Sequence, residues 1–179
     1  MTGWTAYWKP RKRRMPRRDE NMEKPIKEFT ITRLFDAPQE LVWKAWTDQK
    51  LIQRWWGPRG VTSPTCEWDA RPGGRINIVM LAGKELGPFA GQKWPMNGVF
   101  NEVTPQSRLV FTSNALDDVR DILLESLVTV DLEAVGKKTK MNLRFTVTKA
   151  GPKAEFALKG AEGGWNQQID KLSEMVGAK

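Results

Sequence analysis

FTITRLFDAPQELVWKAWTDQKLIQRWWGP, residues 29–58, decides how this chain folds. Phe29 and Ile31 alternate with the β-branched Thr30 and Thr32, a pattern that suits a half-buried strand. Asp36 ends it. Its carboxylate is placed to accept backbone N–H groups two or three residues on, and Pro38 fits a first helical turn that needs no donor, so a helix is predicted there. Leu41, Val42, Ala45 and Trp46 recur at helical spacing. Asp48 offers a second N-cap, Leu51, Ile52 and Trp55 make another short apolar face, and Gly57-Pro58 closes it. The order is strand, helix, corner, helix.

Outward from that stretch, residues 61–69 and 75–82 are predicted as two strands joined by Ala70-Arg71-Pro72-Gly73-Gly74. Pro72 presets one dihedral of a tight turn and Gly73 is free to take positive φ. Ile76, Ile78 and Met80 alternate with Arg75, Asn77 and Val79, which marks one core face. Ala82 to Pro95, rich in Gly, Pro and Lys, reads as a loop. Strands near 96–104 and 108–114 follow, split by Thr104-Pro105-Gln106-Ser107. The clearest strand, Met141 to Val147, alternates strictly, and its partner carries Leu124, Val128, Val130 and Leu132, with the turn at Gly136-Lys137-Lys138. From about Lys153 to Val176 the period becomes helical: Leu158, Ala161, Trp165, Ile169, Leu172 and Val176 fall three or four apart. Gly160, Gly163 and Gly164 weaken its first half, each costing about 1 kcal/mol relative to alanine.

The chain has 179 residues, enough for one domain with a well-filled core. It carries one cysteine, Cys66, and no histidine. An internal disulfide and a cysteine-rich metal site are therefore excluded, as are the triads, histidine-ligated zinc and neutral-pH general base that need imidazole. No apolar run is long enough to span a bilayer and no secretory leader is visible, so the reading is cytoplasmic. Net charge is +8, but residues 1–27 hold nine basic against three acidic residues, a net of +6, which leaves +2 for the rest. That segment has Pro10, Pro16 and Pro25 and no apolar period, so it reads as a disordered basic tail before a domain at 28–177. Trp4, Tyr7 and Trp8 would suit it to nucleic acid or anionic lipid; the plainer expectation is that Met22 is the physiological start. No nucleic acid is expected for the domain itself.

The Asp36-Ala37-Pro38 entry, Val42-Trp43-Lys44-Ala45-Trp46-Thr47-Asp48, Trp55-Trp56-Gly57-Pro58, Arg71-Pro72-Gly73-Gly74, Gly164-Trp165 and Ile169-Asp170-Lys171-Leu172 occur in this order. Together they resemble the AHSA-like family of the START-like (SRPBCC, Bet v 1-like) helix-grip superfamily, over about residues 28–177. The resemblance implies an α+β fold: a curved antiparallel sheet of six or seven strands wrapped round a long C-terminal helix, with two short helices after the first strand. It also implies a cavity between sheet and helix that takes hydrophobic or amphipathic small molecules.

Candidate liners of that cavity are Trp55, Trp56, Trp68, Ile78, Met80, Trp94, Phe100, Phe111, Met141, Phe145, Trp165 and Ile169. Trp55, Trp56 and Trp94 are placed at its mouth, whereas Trp43, Trp46 and Trp165 match packing positions. Arg75 and Glu102 are the candidate polar cavity groups; Glu67, Asp69 and Glu125 read as solvated or ion-paired, and Cys66 as an inert thiol. No catalytic residue, metal or cofactor is assigned. The leading expectation is a small-molecule binding protein, monomer or homodimer. A cyclase or aromatase-like enzyme acting on polyketides and a co-chaperone-like interaction module are the alternatives.

Overall fold

A computed structural model describes residues 24–177. The expectations for Trp4, Tyr7, Trp8, the basic tail and Met22 lie outside the described residues. In chain order the elements are β1 (Lys27–Phe35), α1 (Gln39–Thr47), α2 (Gln49–Trp55), β2 (Val61–Trp68), β3 (Arg75–Ala82), a 3-10 helix (Lys84–Phe89), β4 (Lys93–Thr104), β5 (Arg108–Thr112), β6 (Asn114–Leu116), β7 (Ile122–Val135), β8 (Lys138–Ala150) and α3 (Glu155–Gly177). One antiparallel sheet runs β1-β8-β7-β5-β4-β3-β2, with β6 paired to both β4 and β7. The two short helices and α3 fill its concave side.

Local chemistry explains most of these boundaries. β1 buries Phe29, Ile31 and Phe35 and exposes Thr30 and Thr32. Asp48 separates the two helices: its carboxylate accepts from the Lys50 N–H at 2.8 Å, capping α2. Asp36 does not cap α1. That helix starts at Gln39 from Pro38, whose carbonyl accepts from Leu41 and Val42, so Asp36 lies too far upstream and pairs with Lys138 at 3.8 Å instead. Gly73 takes φ +78° in the β2–β3 turn and Gly136 takes φ +60° in the β7–β8 hairpin.

The sheet has eight strands rather than six or seven. Ser113 is the reason: its N–H donates to the Ser126 carbonyl and its own carbonyl accepts from the Ser126 hydroxyl, which breaks the predicted 108–114 strand into β5 and β6. The predicted loop from Ala82 to Pro95 is shorter than expected. Ala82 N–H donates to Gln92 at 3.0 Å and Gly91 N–H to Ala82 at 2.8 Å, pinching the 3-10 segment off at its base so that β4 begins at Lys93.

Candidate functional site

The concave side of the sheet is filled by aromatic rings. α1 and α2 deliver Trp46, Trp55 and Trp56, β2 delivers Trp68, β4 and β5 deliver Phe100 and Phe111, and β8 and α3 deliver Phe145 and Trp165. Ring centroids lie 4.8 Å apart for Trp46–Trp55, 4.9 Å for Trp56–Trp68, 5.4 Å for Trp56–Trp165, 5.3 Å for Trp68–Phe111 and 5.6 Å for Phe145–Trp165. Most of these pairs are edge-on or tilted, as the quadrupoles of aromatic rings prefer. The Trp55 indole N–H donates to the Ala45 carbonyl at 3.0 Å and that of Trp68 to Trp46 at 2.8 Å. The Trp46 indole N–H is buried and finds no acceptor among the described residues.

Of the predicted liners, Trp55, Trp56, Trp68, Ile78, Phe100, Phe111, Met141, Phe145, Trp165 and Ile169 are all buried in this one cluster, and only Met80 and Trp94 stay half-exposed. Trp55 and Trp56 are thus interior residues, at 1% and 2% exposure, and not the rim of a mouth. The two polar candidates face water on the outside of the sheet. Arg75 is 82% exposed opposite Glu67 at 4.0 Å, and Glu102 joins Arg108 at 3.3 Å, which also holds Asp131 at 2.6 Å. Asp69 pairs with Arg71 and Glu125 with Lys149. Among the described residues, no acid converges on another across the interior.

A second group of residues lies along the first half of α3. Phe156, Gly160, Gly164 and Gln168 are spaced four apart and share one helix face. A methyl group built on Gly160 or Gly164 meets no neighbouring atom within 4 Å, so this face carries a bare strip. At one end of the strip Phe156, 65% exposed, stacks on Phe89 of the 3-10 helix at 5.2 Å, and Phe89 meets Trp94 at 6.3 Å. None of these three rings belongs to the core cluster. At the other end the buried Gln168 accepts from the Gly57 N–H at 2.9 Å, and Lys171 donates to the Gly57 carbonyl at 3.0 Å. Gly57 in turn lies against Met80, whose Sδ is 3.3 Å from a methyl placed there. The glycine row of α3 is thus flanked by Phe89 and Trp94 at one end and by Gly57 and Met80 at the other.

Burial lowers the Lys171 ammonium from its usual range, helped by the nearby Arg59 and opposed by Glu174, while Arg59 itself pairs with Glu174 and donates its backbone N–H to Gln167. Cys66 faces α2, with burial pushing its thiol up to about 11. Iodoacetamide should therefore modify native Cys66 far more slowly at pH 8 than it modifies the urea-unfolded chain, because the thiolate is the nucleophile. Equal rates in the two states would show that the thiol is neither buried nor shifted.

A family model described as Activator of Hsp90 ATPase homolog 1-like protein matches residues 36–177. The chain belongs to that family. Solved structures of similar fold include a protein from Chromobacterium violaceum, at 24% identity, a TM-score of 0.71, and coverage of 85% of this chain and 98% of that one. The AHSA1 protein from Silicibacter pomeroyi is similar at 24% identity and a TM-score of 0.68, over 83% and 96%. A protein from Rhizobium leguminosarum is similar at 22% identity and 0.71, over 84% and 93%. Identities this low carry the fold alone. No curated protein matches the chain.

The AHSA-like domain is thus a START-like helix grip, and among the described residues no helix is long and apolar enough to cross a membrane. Phe89, Phe156 and the glycine row are not among the predicted site residues. The available signal is the four-residue spacing Phe156, Gly160, Gly164, Gln168, since an interior helical glycine has a cost that calls for a packing or spatial reason.

Proposed function

We propose that this AHSA-like domain binds a hydrophobic or amphipathic small molecule in the trench between α3 and the wall of Met80, Trp94 and Phe89. One observation carries the reading: the Phe156, Gly160, Gly164, Gln168 row leaves a helix face bare beside three aromatic rings that lie outside the core. Aromatic rings and open apolar space, with a few polar groups at one end, are what small-molecule sites are made of. The predicted liners Met80 and Trp94 are part of the proposed site, and the ten buried ones belong to the core cluster. Binding is favoured over a cyclase role because Arg75 and Glu102, the polar groups available to steer a reaction, stand on the opposite face of the sheet.

The test separates binding from folding. Gly164→Leu fills the trench with a better helix former, so the variant should melt at or above the native temperature while losing affinity for the neutral fluorescent probe N-phenylnaphthylamine by about tenfold or more. Phe156→Ser should weaken the probe by a similar factor and shift melting by no more than about 2 °C, as its ring is largely exposed. Unchanged probe affinity in both variants would rule the trench out as the site.

A further inference from the structure

A second groove lies on the opposite face of the sheet. Where β2, β3 and β4 turn Thr65, Val79 and Pro95 outward, the connection from β6 to β7 stands beside them and encloses about 1020 Å3. Its floor is apolar: Val79, Leu81, Pro95 and Leu123 line it, and Leu116 is only 6% exposed although it lies outside the core between sheet and helices. Outer strand positions that face water are ordinarily polar, so this floor is out of place on a solvated face. A smaller groove of about 480 Å3 continues along the same face past Asn77, Asn97 and Asn114, where Asn114 donates to Asn97 at 3.1 Å. Arg120 lines both and so stands where they join.

The connection is held in place by its own chemistry. One Asp117 carboxylate oxygen accepts from the Val119 N–H at 3.1 Å and the Asp121 N–H at 2.8 Å, and the other accepts from Lys153 at 3.4 Å. The Arg120 N–H donates to the Asp117 carbonyl at 3.0 Å, and Arg120 takes φ +67°, a left-handed backbone that side-chain-bearing residues seldom adopt. Its guanidinium makes no ion pair among the described residues, and neither does Lys93 in the same groove. Against these two cations stands one unpaired acid, Asp118, because Glu67 already faces Arg75. The groove thus offers a cation at the junction, amides on one side of it and an apolar floor on the other.

We infer that this outer groove binds an amphipathic small-molecule carboxylate, with the carboxylate on Arg120 beside Asn97 and Asn114 and the apolar body on Val79, Pro95 and Leu116. A guanidinium grips a planar carboxylate through two parallel hydrogen bonds, which a neutral alcohol of equal length cannot match. The groove shares Trp94 with the proposed trench of α3, but the carboxylate end at Arg120, Asn97 and Asn114 has no residue in common with it.

Decanoate and decanol, titrated into isotopically labelled protein and followed by amide shifts, test this directly. Decanoate should move the amides of Val79, Leu116 and Arg120 and bind about tenfold more tightly than decanol, and Arg120→Gln should erase that preference while leaving decanol unchanged. Val79→Asp, which puts a charge on the floor, should abolish the shifts for both. Shifts confined to Phe89 and Phe156, an equal response to acid and alcohol, or an unaltered decanoate affinity in Arg120→Gln would each overturn the assignment. So would the absence of any shift at millimolar decanoate.

Discussion

Replacing Trp56 with alanine is expected to destabilise the fold by about 3–5 kcal/mol, the range for emptying a large aromatic site in a packed core. Trp56 is the ring through which the elements meet. It comes from the end of α2 and lies 5.6 Å from Trp55, 4.9 Å from Trp68 on β2, 6.4 Å from Phe111 on β5 and 5.4 Å from Trp165 on α3. At 2% exposure it has no water to fall back on. Four aromatic neighbours fixed on four different elements cannot all move inward, so most of the volume would stay empty, and the rings lining a void have nothing on that side to attract. For a domain of this size the loss corresponds to a fall of roughly 6–20 °C in Tm. Chemical denaturation checks it. A cost below about 1.5 kcal/mol would mean that the interior collapses freely and is not a rigid filling.

Gly74→Ala is expected to cost about 3 kcal/mol, at the upper end for overpacking, whereas Gly73→Ala next to it should cost only about 1–2 kcal/mol. The two glycines serve different needs. A Cβ on Gly74 would sit 1.8 Å from the Asp69 carbonyl oxygen, which is backbone and cannot rotate aside. Asp69 is held by its own N–H to Arg75 at 3.0 Å, and the Gly74 carbonyl accepts from Phe100 at 2.9 Å, so relief requires shifting the turn and the edge of β4 together. Gly73 has open space around it and needs only its positive φ of +78°. Urea denaturation of the two single variants checks the order, and equal costs would show that conformation alone, without the close approach, shapes the turn.

Much of the fold is legible because the stretch from Phe29 to Pro58 combines period, cap and breaker signals that agree with one another. Strand, helix pair and the Asp48 corner all follow from it. Asp36 misleads because an acidic residue before Pro38 satisfies the capping rule in sequence, while the helix entry is set by the Pro38 carbonyl one residue before Gln39. The break at Ser113 is invisible in the sequence, since it rests on a pairing with Ser126 across two strands. The site is legible only in part. Tryptophan is often incompletely buried because its N–H wants a partner, which points Trp55 and Trp56 at a helix end to a mouth, yet both rings are buried among aromatic partners. The trench depends on which face of α3 carries the glycines, which the four-residue row encodes, and on Phe89 reaching across from a segment whose 3-10 turn no period announces.

The most direct test of the trench is a crystal structure of the protein grown with N-phenylnaphthylamine. Ligand density is expected against Phe89, Trp94 and Phe156, lying over Gly160 and Gly164, with Trp56 and Trp165 unmoved. Density inside the grip, with Trp56 or Trp165 displaced from the cluster, would contradict it.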